Sequence, residues 1–314
     1  MEAAPLQPAG GMQAARLLAG DIKIAHSVFA LPFALLAAVL AAGASAGGIR
    51  WQTFAGQLAL ILACMVAART WAMLANRLAD RTLDAANPRT RGRPLASGRV
   101  SLRAGGVALF ASAGVFLAAC GLFGVLFANW WPLALGVPVL LWIAFYAYTK
   151  RFTWLCHAFL GGALAASPLA AAIAIGGIGS LAMPALWAIA SMVVLWVGGF
   201  DVIYALQDLE HDRRAGLNSI PARFGWRGAA WISRGMHAAA VACLVIALAI
   251  EPRFGVLFLL GVLATVALLA WEHAVLVRRG QAGIPMAFFT LNGVISVLLG
   301  GLGISDVLLT PLAA

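Results

Sequence analysis

Stretches of roughly twenty residues run almost without charge along this chain, and the few ionised side chains crowd into the segments between them. That length is what an α-helix needs to cross the hydrocarbon core of a bilayer. Inside the core there is no water for the backbone, which must satisfy its own N–H and C=O groups, so such runs fold as helices. The spans expected are 24–43, 54–75, 105–126, 130–148, 156–176, 183–205, 229–250, 255–276 and 285–303. Only 10% of the 314 residues are charged and 63% are hydrophobic, whereas soluble chains carry about 25% charged residues. A soluble fold is excluded. The expectation is an all-α integral membrane protein of about nine transmembrane helices in a single bundle, with 21–314 as the transmembrane domain and 1–20 as a flexible cytoplasmic N-terminus.

The net charge of +10 would point to nucleic acid in a soluble protein. Here the cations alternate along the chain. Arg16 and Lys23 precede the first span; seven arginines from Arg77 to Arg103 follow the second; Lys150 and Arg151 follow the fourth. Arg213, Arg214, Arg223 and Arg227 follow the sixth, and Arg278 and Arg279 the eighth, while the opposite loops hold only Arg50 and Arg253. Positive loops stay on the cytoplasmic side, so the N-terminus is expected inside, the C-terminus outside, and the protein in the cell inner (cytoplasmic) membrane with no nucleic-acid partner. Residues 1–20 lack the apolar centre of a cleavable signal peptide, so the first span is expected to remain as an anchor. Cys64, Cys120, Cys156 and Cys243 lie far apart in apolar runs with no CxxC, which indicates neither a zinc site nor a disulfide framework.

Two segments on the cytoplasmic side, 76–104 and 206–228, are long and rich in both signs of charge, and long loops in compact proteins tend to be functional. Of eleven acidic residues in the chain, Asp80, Asp84, Asp201, Asp208, Glu210 and Asp212 fall in two short windows, Asn76-x3-Asp80-x3-Asp84 and Tyr204-x3-Asp208-x3-Asp212. Spacing of four places each set on one helical face. Pro94 and Gly98 follow the first set much as Pro221 and Gly225 follow the second, which reads as a weak internal repeat. Paired oxygen ligands suit Mg²⁺, which binds through one or two carboxylates and substrate phosphates. The bland alternative is a set of solvated helix ends neutralised by nearby arginines. Glu210, two residues from Asp208, points to the opposite side of the helix and is assigned to solvent.

Arg69 lies two turns before Asn76 and shares its face. At the bilayer centre an unpaired arginine would cost about 2.5–3.5 kcal/mol, so it is either snorkelling to the interface or a buried anion anchor. Lys150 and Arg151 could clamp phosphate oxygens or simply obey the positive-inside rule. His26 and His157, near helix ends, and Tyr146 and Tyr148, suited to an interfacial belt, carry no assigned chemistry.

At these residues the sequence resembles the UbiA superfamily of intramembrane aromatic prenyltransferases. The resemblance spans Asn76-x3-Asp80-x3-Asp84, Arg93-Pro94-Leu95-x-Ser97-Gly98, Tyr146-x3-Lys150-Arg151, Asp201-x2-Tyr204-Ala205 and Asp208-x3-Asp212. The run Ile24–Leu35, with His26, Phe29, Ala30, Leu31 and Pro32, further resembles the 4-hydroxybenzoate polyprenyltransferase branch and its relatives in alternative menaquinone synthesis. Arg77 departs from the Asp that many members carry after the motif Asn, and Ala147 from a frequent Pro. The resemblance implies a bundle around a central cavity open to the cytoplasmic side. It implies Mg²⁺ on Asp80, Asp84, Asp208 and Asp212 with Asn76 assisting, and Lys150 neutralising a leaving diphosphate. A polyprenyl diphosphate and an aromatic acid are the implied substrates, with Arg69, Asn76, Tyr146, Lys150, Arg151, Asp201 and Tyr204 in substrate binding and Arg69 on the acceptor carboxylate. A dihydroxynaphthoate, homogentisate or haem-precursor acceptor is the alternative within the superfamily. A secondary transporter using membrane carboxylates is the rival from another class, although transporter sites lie near the midplane on broken helices.

Overall fold

The computed structural model describes residues 9–44 and 48–310, and the described residues contain helices and connecting turns but no strand. Eight helices are long and apolar enough to cross a membrane, and a pair bent by 50° counts as a ninth span. The long helices are α3 (Trp51–Ala79), α5 (Leu102–Phe127), α6 (Trp131–Thr149), α7 (Cys156–Gly176), α8 (Pro184–Ala205), α10 (Ile220–Ile250), α11 (Val256–Arg279) and α12 (Asn292–Leu309). Short helices α1 (Gly11–Ile22), α2 (Leu31–Gly43), α4 (Arg81–Ala86) and α9 (Leu209–Arg214) complete the set. Most expected spans agree within a few residues; α3 runs beyond its own, and α10 is broken at Gly225 (φ 68°, ψ −179°), the part after the break matching the expected 229–250.

The N-terminal region departs from expectation twice. From Gly11 onward the segment expected to be flexible is the helix α1, whose Ala14 and Leu18 are buried against Leu74, Leu95 and Val100. Its end is pinned by an ion pair from Arg77 Nε to Asp21 Oδ2 at 2.9 Å. Residues 1–8 lie outside the described residues. The first span is also not one helix over 24–43: Ile24–Phe29 is a 3₁₀ turn, and α2 begins only at Leu31. Pro32 is the cause. It has no N–H for the carbonyl of Val28, and its ring would clash with that carbonyl in a continuous helix. Ser296 of α12 donates its hydroxyl to the Val28 carbonyl instead, at 2.6 Å, so that carbonyl is satisfied within the bundle.

Each aspartate window breaks at the same place. α3 ends at Ala79, and Asp80 (φ −96°, ψ 7°) turns the chain into α4. α8 passes through a 3₁₀ turn, Leu206–Asp208, and Asp208 (φ −103°, ψ 6°) opens α9. The unbroken helical face expected for each motif is thus a hinge with the first aspartate at its pivot. Further landmarks repeat: Gly98 and Gly225 both have positive φ, at 75° and 68°. Ser101 and Ser219 cap α5 and α10 by accepting from the N–H three residues on.

α8 lies deepest in the bundle, packing on α7 and α10, with Trp196 and Phe200 fully buried beside Phe33. On the outer helices Phe110, Val125, Leu141, Trp231 and Val256 are exposed, as expected where lipid is the solvent. α7 and α8 approach so closely at Gly161 that a Cβ there would meet the Val194 carbonyl oxygen at 2.2 Å. Gly161→Ala should therefore destabilise the bundle by about 1–3 kcal/mol, the usual cost of overpacking. Gly106→Ala, which meets nothing within 4 Å, should not. Thermal unfolding of both variants in detergent makes the comparison.

Candidate active site

The C-terminal ends of α3 and α8 bring the two aspartate windows to one end of the bundle, where they line a single polar cavity of about 270 Å³. Asp80, Asp84, Asp201, Asp208 and Asp212 all face it, with Asn76, Tyr146, Lys150 and Tyr204. Carboxylates this close repel one another unless cations intervene, and the cations come from distant loops. Asp80, whose side chain is 3% exposed, is bound by Lys150 Nζ and by Arg151 Nη2, the latter at 3.0 Å, and accepts a bond from Asn76 Nδ2 at 3.3 Å. Arg93 Nη1 reaches both oxygens of Asp84, at 2.7 and 2.8 Å. Asp208 takes the Arg89 guanidinium through two nitrogens and Asn87 Nδ2 at 2.9 Å. Such charge-assisted, paired bonds are the strong ones. Burial works against the Arg89 charge, but Asp208 and Tyr204 beside it outweigh that and hold its pKa above the usual value.

Arg89, Asn87 and Arg93 in this role were not foreseen beyond the resemblance that included Arg93. Their signal was present: a run of arginines between the first aspartate window and Gly98 is more than topology requires. Arg151, expected to touch substrate, does not line the cavity. It braces Asp80 from behind and also donates to the carbonyls of Ala147 and Ala79. Arg77, the departure from the family pattern, donates to Asn76 Oδ1 at 2.9 Å as well as to Asp21, and so orients the motif asparagine. Glu210 is 74% exposed on its side chain, with only a loose ion pair to Arg213, as its phase demands. Asp212 forms no ion pair among the described residues.

Asp201 is held by His157, whose Nδ1 lies 2.7 Å from Asp201 Oδ2. His157 Nε2 accepts from the Ile220 N–H at 3.3 Å, so the proton belongs on Nδ1, and this histidine ties α7, α8 and the start of α10 together. Tyr204 receives a bond from Arg89 at 3.2 Å and stacks on Phe288 with centroids 4.2 Å apart. Tyr148 is exposed beneath the Arg151 guanidinium.

A second cavity, of about 350 Å³, adjoins the first and is walled almost wholly by apolar side chains of α3, α5, α6 and α7. His26, Arg69, Tyr146 and Leu160 line both cavities and so mark their junction. Arg69 Nε is buried there with no hydrogen-bond partner, which is costly for a cationic donor unless a ligand completes it. Cys64 and Cys120, free thiols with sulfurs 3.9 Å apart, lie on the wall of the apolar cavity. Among the described residues no three His, Cys, Asp or Glu side chains form a ready metal site. The donor set is nonetheless suited to a hard cation shared with phosphate oxygens, because that needs only one or two carboxylates from the protein. Asp80 and Asp208 line the cavity with their charge balanced for the present by lysine and arginine.

Residues 30–294 match the UbiA prenyltransferase family. The chain is similar to a 4-hydroxybenzoate octaprenyltransferase of Methylococcus capsulatus, 33% identical over 236 residues that cover 74% of this chain and 76% of the relative. The octaprenyltransferase of the same description from Xanthomonas euvesicatoria is 32% identical, covering 73% of each. In fold the chain resembles a UbiA homologue from Aeropyrum pernix K1, with a TM-score of 0.76, 31% identity and coverage of 90% of this chain and 98% of the other. A UbiA homologue from Archaeoglobus fulgidus, bound to DMAPP and Mg²⁺, shares the fold at a TM-score of 0.66 and 18% identity, covering 95% and 99%. The family match over most of the chain and the relatives above 30% identity agree with the helical bundle: the chain belongs to the UbiA prenyltransferase family.

Proposed function

We propose that this protein transfers a polyprenyl group from polyprenyl diphosphate to an aromatic acid, with 4-hydroxybenzoate as the leading acceptor, in quinone biosynthesis of the ubiquinone or menaquinone type. The observation that carries this reading is Arg69, an unsatisfied guanidinium at the junction of a polar and an apolar cavity. The polar cavity suits a diphosphate and the apolar one an isoprenoid tail, and the reacting carbon lies where they meet. A planar guanidinium there can hold a carboxylate by two parallel bonds. The similar proteins named as 4-hydroxybenzoate octaprenyltransferases support the same acceptor. A dihydroxynaphthoate remains the alternative acceptor, and the transporter reading gives way to membership of a prenyltransferase family.

In this mechanism Lys150, with Arg89 and Arg93 in the same cavity, binds the diphosphate oxygens and offsets charge as the allylic C–O bond ionises. Asp80, Asp84, Asp208 and Asp212, with Asn76, would hold Mg²⁺, as these oxygen donors suit it; the bound ion would supply Lewis-acid stabilisation of the leaving group. The Archaeoglobus fulgidus relative holds DMAPP and Mg²⁺; for this chain the assignment rests on its own donors. Asp201, fixed by His157, and Tyr204, fixed by Arg89 and Phe288, shape the wall that faces the reacting carbon. Tyr146 and Arg69 flank the acceptor. The apolar faces of α3, α5, α6 and α7 exclude water from the cation. The polar cavity faces the cytoplasm in this reading, because the basic loops surround it.

Three outcomes are expected. Chelation of divalent metal, Asp80→Ala and Asp208→Ala should each lower turnover by orders of magnitude, while Glu210→Ala should leave it near the unaltered level; equal loss at Glu210 would sink the ligand assignment. With 4-hydroxybenzoate compared against phenol, Arg69→Ala should abolish the preference for the acid, and Arg69→Lys should weaken it. Hydrogen bonds to charged groups are worth about 1.5–3 kcal/mol, so acceptor kcat/KM should fall roughly ten- to a hundredfold. If Arg69→Ala impairs only prenyl diphosphate binding, the arginine belongs to the other substrate. Finally, a single cysteine placed in segment 76–104 of a cysteine-free variant should react only with a reagent that reaches the cytoplasm, and labelling from outside intact cells would reverse the orientation.

A further inference from the structure

Substituting an aromatic ring releases a proton from the attacked carbon, and most of the protein's own groups near that carbon are already bonded. The carboxylates nearest the reacting region are committed: Asp80 to Lys150 and Arg151, Asp84 to Arg93, Asp208 to Arg89, and Asp201 to His157. A carboxylate held by a cation is a weakened base, and Asp201, though its partner is a neutral imidazole, is occupied by the His157 Nδ1–H. Asp212 carries no ion pair, but it sits on α9, beyond the hinge at Asp208, and does not reach the apolar cavity.

Among the histidines, three are already bonded. His157 spends its ring nitrogens on Asp201 and the Ile220 N–H; His237 and His273 bond each other deep between α10 and α11, with His237 also on the Trp196 carbonyl. His211 lines the polar cavity alone, on α9. His26 differs from all four. Its ring makes no hydrogen bond to any described residue, it lines both cavities, and it shares their junction with Arg69. It is also held firmly. The rings of Phe29, Phe288 and Phe289 pack around it with centroids 5.6, 5.6 and 5.1 Å away, and the Pro32 break places the residue on a 3₁₀ turn beside the cavities instead of in a straight span. Arg69 at the same junction and Lys23 disfavour a second positive charge there, but an imidazole with free nitrogens can still take a proton from an arenium cation, which is a far stronger acid than imidazolium.

We infer that His26 is the base that takes the proton from the substituted aromatic ring. The inference rests on the acceptor assignment above. The diphosphate departs with the electron pair of the allylic C–O bond. The allylic carbon then forms a C–C bond to the ring carbon beside the acceptor hydroxyl. The C–H bond at that carbon breaks, its electron pair restores the aromatic ring, and the proton moves to a nitrogen of the His26 imidazole. From there it passes to an oxygen of the departing diphosphate, which returns the imidazole to its neutral form. Arg69, on the acceptor carboxylate in the proposed function, lines the same junction.

The test uses full-length protein in detergent with 4-hydroxybenzoate carrying either hydrogen or deuterium at both ring carbons beside the hydroxyl. Unaltered protein should use the two at equal rates, because ionisation limits turnover. In His26→Asn and His26→Ala, turnover should fall at least tenfold to a hundredfold, in the range general bases contribute, and the deuterated acceptor should become clearly slower. Added imidazole should restore part of the His26→Ala activity. A purely structural role would lower the rate without creating an isotope effect. Equal rates for the two acceptors in both variants, or turnover unchanged by substitution, overturns the proposal; so does a variant too slow to measure that imidazole fails to restore. Failure of the unaltered protein to prenylate 4-hydroxybenzoate at all would instead refute the acceptor assignment, and this inference with it.

Discussion

Carboxylates gathered at the end of a helical bundle repel one another, and this chain neutralises them with cations borrowed from far along the sequence. Asp80 is met by Lys150 and Arg151 from the turn between α6 and α7; Asp208 is met by Arg89 and Asn87 from the loop after α4. These pairs therefore join the first aspartate window to the fourth span and the second window to the first. Placing nearly all the charge at one end leaves the spans apolar, as lipid demands. Removing Arg89 would leave the charge of Asp208 without its cationic partner and free the loop it ties down, although solvent reaches these cations and softens the cost. The site is thus also the clasp that holds the loops in place.

Where helices must break, side chains take over the duty of the missing backbone bonds. Ser296 serves the Val28 carbonyl that Pro32 abandons. Asn292 does the same across the bundle: ahead of α12 the chain forms a π-helical turn, Met286–Leu291, and Asn292 Nδ2 donates to the Ala287 carbonyl at 2.8 Å. Asn292 is itself oriented by Trp196 Nε1 at 2.7 Å and by Glu272. Both repairs lie beside the site, for the π-helical turn carries Phe288 and Phe289 and the Pro32 break carries His26. The irregular backbone is what lets aromatic rings on two different spans crowd the place where the cavities meet.

Much of this was legible in the sequence for identifiable reasons. Apolar runs of bilayer length set the number of spans, because in lipid no other structure satisfies the backbone. Four-residue spacing with a fixed Pro-to-Gly offset exposed the repeat, since Gly98 and Gly225 supply the same positive φ. Arg69 stood out because a lone arginine in a span is expensive. Other features were hidden. The hinges at Asp80 and Asp208 carry no proline or glycine signal, so spacing alone suggested continuous helices. α1 looked like a tail because it is too short and too polar for a span, and only its contact with Leu74, Leu95 and Val100 gives it a partner. The partners of Asp80, Asp201 and Asp208 lie 44 to 121 residues away and that of Asp84 across a turn, a pairing that no local pattern encodes.

The pairing of Asp80 and Asp208 with lysine and arginine has a thermodynamic consequence for loading the site in the proposed chemistry. A divalent cation held as proposed would, arriving alone, have to displace the bonds that Lys150, Arg151 and Arg89 make to Asp80 and Asp208. A diphosphate arriving alone would have to pull Lys150 and Arg89, which line the cavity, away from their aspartates. Arriving together, each frees the partner the other needs, and no charge is left stranded. In the proposed chemistry the two ligands are therefore positively linked. By reciprocity, whatever factor the metal adds to diphosphate affinity, diphosphate returns to the metal. The released diphosphate would likewise loosen its metal on leaving, and the aspartates and their cations would close on one another again.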